Sequence, residues 1–247
     1  MSADRLRIFA VVSWGCAATH WLAQALDSHP ELRCFQNLNG KIARVGGGKL
    51  DGVDYARLLA TQGLGHTAVG DVHGFARDTI PEIRRSFGDR FECAVLVRDP
   101  LPRYRSQLAH FRNSNWQKKG SRPWEVDYLK LRARRAGLRI GKDDYASWLV
   151  VHGANMLNMI LEERKVGPVV RMEDLVSSPD ALCSLVSMLT GGGVEPSLDW
   201  AAQAVSQPRV LPHAKGGDTL SEGELDVLDR IVRPEAWQAY RELGYAC

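Results

Sequence analysis

Arg98 closes the largely apolar residues 91–97, Asp99 and Pro100 follow it directly, and a hydroxyl stands eight residues on at Ser106. A strand that ends in a guanidinium and passes into a helix opened by Pro is built to hold an anion. The fork of the guanidinium bonds a phosphate from one side, and the hydroxyl near the second helical turn reaches it from another. A second stretch with the same aptitude lies nearer the amino terminus. After the apolar residues 8–12 come small residues at Gly15, Ala17 and Ala18, and then Trp21, Leu22, Ala25 and Leu26 at helical spacing. This is strand, tight loop, helix. The first N–H groups of such a helix face the loop, and small side chains let an anion approach them, although the same residues would also serve a closely packed turn. The chain has no Gly-x-x-x-x-Gly-Lys-Ser/Thr run, so nucleoside triphosphate chemistry with a magnesium-bound hydroxyl is not supported.

The elements that must position these groups alternate. Residues 8–12, 32–35, 67–69, 91–97 and 169–172 read as strands, and helical patterns occupy 21–26, a stretch through Tyr55, Leu58 and Leu59, 77–87, 100–111, 145–163 and 179–189. Ser178 and Pro179 supply a cap and a first-turn Pro, and Ser221 with Glu224 has capping-box spacing. Strand and helix in turn imply a three-layer α/β/α fold with a mainly parallel sheet. No linker divides the 247 residues, which read as one domain. Residues 113–142 carry Trp116, Trp124 and Tyr128 among basic residues, with a helix expected at 129–136; they read as an insertion or lid.

Composition narrows the class. Between Arg98 and Lys142 there are thirteen Lys/Arg against three Asp/Glu, in a chain whose net charge is only +3. One surface therefore attracts anions, but the overall charge does not call for a nucleic acid. Cys16, Cys34, Cys93, Cys183 and Cys247 are odd in number and scattered, which indicates neither a disulfide framework nor a structural zinc site. No apolar run reaches the length of a membrane span, and residues 8–12 are too short for a secretory leader, so a cytoplasmic protein is expected.

Residues 11–22, Val-Val-Ser-Trp-Gly-Cys-Ala-Ala-Thr-His-Trp-Leu, followed by Asp27-Ser28-His29-Pro30, resemble the 5′-phosphosulfate loop and helix of sulfotransferases. Val95-Leu96-Val97-Arg98-Asp99-Pro100 with Ser106 is similar to the 3′-phosphate motif of that family. Arg171-Met172-Glu173-Asp174-Leu175-Val176, with Pro179 after it, resembles a later strand and helix start. The order and spacing agree over roughly residues 7 to 190. The resemblance implies a P-loop NTPase-like fold and transfer of a sulfuryl group from 3′-phosphoadenosine 5′-phosphosulfate to a hydroxyl or amine of a small-molecule or glycan acceptor, with no metal. It assigns Gly15, Cys16, Ala17, Ala18, Thr19, His20 and Trp21 to the 5′ end of the donor and Arg98 and Ser106 to its 3′ phosphate. Lys215 and Gly216 weakly resemble the segment that closes over the 3′ side, with Ala214 where an Arg is expected. Trp14 and Trp116 could stack on adenine or serve an apolar core.

Two departures bear on chemistry. The family carries Lys or Arg where this chain has Cys16, so a cation must come from elsewhere or transfer is impaired. His20 is the nearest substitute, its protonation opposed by the helix dipole and favoured by a phosphate; Lys41, Arg103 and Arg105 are other contributors. Gly70-Asp71-Val72-His73 resembles the Lys-Thr-His stretch whose His deprotonates the acceptor, but Asp71 holds the Lys position. Glu173 and Asp174 are expected to cap the helix after them. Arg132, Arg134, Arg135 and Arg139 face either an anionic acceptor or solvent. Two other readings remain open: a nucleotide-binding protein of this fold with reduced catalysis, and a nucleotide or small-molecule kinase.

Overall fold

The computed structural model describes residues 6–13, 17–46, 48–113, 126–141, 145–207 and 219–246, and of residues 111–113, 126–129 and 145 only the backbone. Along the chain run β1 (Arg7–Val12), α1 (Thr19–Asp27), β2 (Leu32–Gln36), α2 (Leu38–Arg44), α3 (Gly52–Gln62), β3 (Ala68–Val72), α4 (Ile80–Phe87), β4 (Phe91–Val97) and α5 (Pro100–Asn113). Then come α6 (Val126–Arg135), α7 (Tyr145–Leu157), α8 (Ile160–Glu163), β5 (Val169–Arg171), α9 (Met172–Leu175), α10 (Pro179–Leu189), α11 (Leu198–Ser206), α12 (Glu222–Ile231) and α13 (Pro234–Glu242). They group into two units, Met1–Val97 with Glu163–Val210, and Arg98–Glu162 with Leu211–Cys247.

The first unit holds the sheet, five strands in the order β2-β3-β1-β4-β5 with every pairing parallel. Alternation along β1 divides its interior. Phe9 and Val11 join α1 and α10 residues such as Leu22, Leu26, Leu185 and Leu189 on one face, while Ile8, Ala10 and Val12 join Tyr55, Leu59, Ile80 and Ile83 of α3 and α4 on the other. A strand covered on both faces has no polar side to show, which is why residues 8–12 of β1 and 93–97 of β4 read as continuous apolar runs. Each fully buried leucine contributes about 1.5–3 kcal/mol. Cys34 and Cys93 are buried thiols in these same layers, and burial pushes the Cys93 pKa up to about 12.

The three-layer α/β expectation holds for this unit, with local differences. β3 runs on through Gly70 and Asp71 to Val72, because β1 and β2 pair with it on both sides and override the poor strand propensity of those two residues. The expected helix at 77–87 begins as a 3₁₀ turn at Arg77–Thr79 before α4. Glu173 and Asp174 do not cap the following helix: they lie within the single turn α9, and Ser178 Oγ accepts the Ala181 N–H at 3.2 Å to cap α10.

The second unit is helical, with α7 packed on α5, α6 and α12. The helix expected over residues 145–163 breaks after Leu157. Asn158 is the cause: its side-chain amide donates to the Ile231 carbonyl at 3.1 Å and its Oδ1 accepts the Arg233 N–H at 2.7 Å. At the break the N–H groups of Asn158 and Met159 bond three residues back, at 3.0 and 3.1 Å, which tightens the turn. The Ser221–Glu224 capping box opens α12 as its spacing predicts. The helix expected at 129–136 is α6, whose described backbone starts three residues earlier, at Val126; of the basic insertion, residues 114–125 and 142 lie outside the described residues. Among the described residues no helix is long and apolar enough to cross a membrane.

Two glycines test this packing in opposite directions. A Cβ on Gly70 would lie 2.2 Å from the Phe9 ring and 2.4 Å from the Phe9 carbonyl oxygen, whereas one on Gly223 in α12 would meet nothing within 4 Å. Urea unfolding should show Gly70→Ala destabilised by about 1–3 kcal/mol or more, and Gly223→Ala unchanged or stabilised by about 0.4–1 kcal/mol.

Candidate functional site

The parallel ladder between β1 and β3 sets the first part of the site. Val11 pairs with Val72, and the pairing continues past the end of β3, where the His73 N–H donates to the Val11 carbonyl at 2.9 Å. The chain therefore leaves the two strands side by side, at the carboxyl edge where open α/β sheets bind ligands. His73 has a φ of 75°, in the left-handed region that a residue with a Cβ rarely adopts. Its Nδ1 donates to the Ser13 carbonyl, one residue beyond β1. That bond places the ring proton on Nδ1 and makes Nε2 the basic nitrogen.

From Ser13 the chain passes through residues 14–16, outside the described residues, and turns into α1 at Ala18, which is left-handed at φ 54° and has no side chain with which to cap the helix. No acidic residue stands in its first turn. Thr19 and Trp21 are buried and His20 is exposed. Ser13 Oγ and Trp21 Nε1, one on each side of the loop, are buried with no hydrogen-bond partner among the described residues. Orphaned donors of this kind at an uncapped helix start fit an anionic ligand that brings acceptor oxygens. Partial burial holds the His20 pKa below its usual value, and the charge of Lys41 lowers it further. Lys41 and His20, taken from different segments, thus lie within electrostatic reach of each other.

Asp71 is the feature that sequence reasoning missed. It registers there only as the wrong residue for a Lys position, yet its side chain is completely buried and bonded on every side. Oδ1 accepts the Asn37 N–H at 2.8 Å, and Oδ2 accepts the Leu38 N–H at 2.8 Å and the Tyr55 hydroxyl at 2.5 Å. A further bond comes from the Gly74 N–H. Burial raises the Asp71 pKa, and these four hydrogen bonds oppose the rise. The available signal was a carboxylate inside the strand sequence Ala-Val-Gly-Asp-Val, where a buried charge requires partners.

The second unit carries Arg98 and Ser106, the other pair expected to hold an anion. Arg98 is the first residue after β4 in sequence, and Asp99 caps the start of α5: its Oδ1 accepts the Leu101 N–H at 3.0 Å and its carbonyl accepts the Arg103 N–H at 3.0 Å. Arg98 and Ser106 are each half-buried, and Ser106 stands about two helical turns beyond Asp99. Of the other cations considered, Arg105 is exposed, while Arg103 is fully buried with Nη1 donating to the Tyr240 hydroxyl at 3.3 Å. Arg103 is thereby committed to the interior of its unit. Arg134, Arg135 and Arg139 are exposed and Arg132 half-buried. Trp14, Gly15, Cys16, Trp116, Lys215 and Gly216 lie outside the described residues.

No protein-family model matches this sequence, and no curated protein sequence does. Solved structures do. A sulfotransferase from Alicyclobacillus acidocaldarius aligns over 97% of this chain and 96% of its own, at 14% identity and a TM-score of 0.51. Mouse sulfotransferase SULT7A1, solved in complex with PAP, aligns over 98% of this chain and 84% of its own, at 14% identity and a TM-score of 0.45. The fold expected from the sequence is thus one that the Alicyclobacillus acidocaldarius sulfotransferase has.

The coupling of His20 to Lys41 is directly measurable. His20 should titrate below 6.5 and be neutral at pH 7, becoming charged only in more acidic solution. Replacing Lys41 with Met removes a like charge and should raise the His20 pKa part of the way back, burial being the larger cause. NMR of the ring protons against pH checks both.

Proposed function

We propose that the protein is a sulfotransferase that moves a sulfuryl group from 3′-phosphoadenosine 5′-phosphosulfate to a hydroxyl or amine of a small-molecule or glycan acceptor. The observation that carries this reading is the His73 imidazole, fixed by the Ser13 carbonyl with its basic nitrogen at Nε2, at the sheet edge where the uncapped loop into α1 begins. A base of defined tautomer beside a loop suited to phosphate is what an acceptor hydroxyl requires.

In this reading the donor supplies the sulfuryl group and a good leaving group, and the chain supplies the rest. The loop from Gly15 to Trp21 holds the 5′ end with main-chain N–H groups, Arg98 and Ser106 hold the 3′ phosphate, and Lys215 and Gly216 cover that side. His73 Nε2 takes the proton of the acceptor as the acceptor oxygen forms its bond to sulfur and the bond from sulfur to the 5′-phosphate oxygen breaks. His20, which partial burial and then the charge of Lys41 bias toward the neutral form, is a hydrogen-bond donor to the leaving phosphate rather than a resident cation. Lys41 is the better source of the positive charge that Cys16 does not provide. The scattered thiols, of which Cys34, Cys93 and Cys183 are free, accord with a cytoplasmic protein. A second reading, a nucleotide-binding protein without transfer, is favoured by Cys16 itself.

Calorimetric titration with adenosine 3′,5′-bisphosphate tests the nucleotide site before any acceptor is known. Arg98→Ala should weaken binding about 10- to 100-fold, the loss of a charge-assisted bond, and Ser106→Ala by about 3- to 10-fold. His73→Ala should leave that affinity within about twofold while transfer from the sulfate donor to a panel of phenols, amines and glycans falls about 10²- to 10⁴-fold. Unchanged binding in Arg98→Ala removes the 3′-phosphate assignment. Tight binding without transfer by the unaltered chain establishes the second reading.

A further inference from the structure

We infer that Asp71 is the positioning residue for His73: its carboxylate fixes the main chain where the imidazole leaves the sheet, and so determines which ring nitrogen carries the proton. The inference rests on the reading of His73 as the base.

His73 has one residue of freedom between two anchors. On the strand side its N–H is held by the Val11 carbonyl; on the other side Gly74 donates its N–H to the Asp71 carboxylate. The carboxylate sits directly against Gly74, where a Cβ would come within 2.4 Å of the Asp71 Cγ, so no larger residue fits there without moving it. The left-handed φ of 75° at His73 is the conformation that satisfies both anchors, and it aims the ring so that Nδ1 meets the Ser13 carbonyl. A conformation so disfavoured for a residue with a side chain persists only where its surroundings over-determine it.

The carboxylate is itself immobilised. An ionised carboxylate offers about four acceptor positions. Here the donors are the Asn37 amide between β2 and α2, the Leu38 amide that opens α2, the Tyr55 hydroxyl from α3, and the Gly74 amide. The turn that bears His73 is thereby tied to two further elements of the same unit. Asparagine has nearly the same shape but only one acceptor oxygen, and its NH₂ would face donors. Asp71→Asn therefore releases the clamp without opening a cavity, and Tyr55→Phe removes one of the four bonds while leaving the three amides in place.

Long-range ¹H–¹⁵N spectra of the full chain labelled in histidine report the tautomer directly, and the His73 ring is assigned as the signal lost in His73→Gln. The unaltered chain should show His73 in the Nδ1–H form. Asp71→Asn should lose that form as the dominant tautomer while the rings of His29 and His66 keep their positions, and Tyr55→Phe should move the same signals in the same direction by a smaller amount. A His73 ring unchanged in the folded variants, or all three rings moving together, overturns the proposal; if Asp71→Asn does not fold, Tyr55→Phe decides. Where transfer is measurable, Asp71→Asn should lower kcat about tenfold or more with the donor KM within about twofold, and should cost nothing further on top of His73→Gln. An equal loss in both backgrounds also overturns it. A ring that responds in a chain without transfer keeps the positioning role and removes only the catalytic reading of His73.

Discussion

A hydrogen bond that carries the pairing of two parallel strands one residue past the end of β3 organises this molecule. β1 and β3 pair through Val11 and Val72, and the next bond runs from the His73 N–H, just past β3, to the Val11 carbonyl inside β1. Parallel pairing sends both chains off the same edge, and burial of both faces leaves that edge as the place where polar groups can gather. The loop into α1, the imidazole of His73 and the carboxylate of Asp71 all gather there. Topology sets their chemistry before residue type does.

Much of the frame was legible in the sequence because it is written in continuous apolar runs. β1 and β4 are buried on both faces, so they announce themselves without alternation, and the small residues after β1 and the Arg98-Asp99-Pro100 step after β4 mark where each chain turns. The Ser178 and Ser221 caps were legible for a local reason: a cap is a bond between neighbours, and spacing is enough to see it. Of the candidate residues, His73 was found by likeness to a motif; its left-handed backbone and the Ser13 carbonyl that orients it were not visible.

The hidden features depend on partners far away in the chain. Asp71 accepts from residues 33, 34 and 16 positions distant, and nothing near it in sequence hints at Asn37, Leu38 or Tyr55. The break after Leu157 is set by main-chain groups at Ile231 and Arg233, so the periodicity of residues 145–163 runs straight through it. Arg103 looked like a free cation because charge is legible in sequence and burial is not; its interior bond to Tyr240 spans 137 residues.

The same long reach orders the birth of the molecule. β4 acquires its neighbour β5 only after residues 98–168 have been made, and the Asn158 side chain waits 75 residues for the amide of Arg233. Neither unit is contiguous, so a ribosome emitting this polypeptide exposes the outer edge of β4 for the time needed to make 71 intervening residues, several seconds at about 5–20 residues per second. A strand of Phe-Glu-Cys-Ala-Val-Leu-Val with one edge open is a hazard during that interval, and a nascent-chain chaperone that binds short apolar stretches would find its target there.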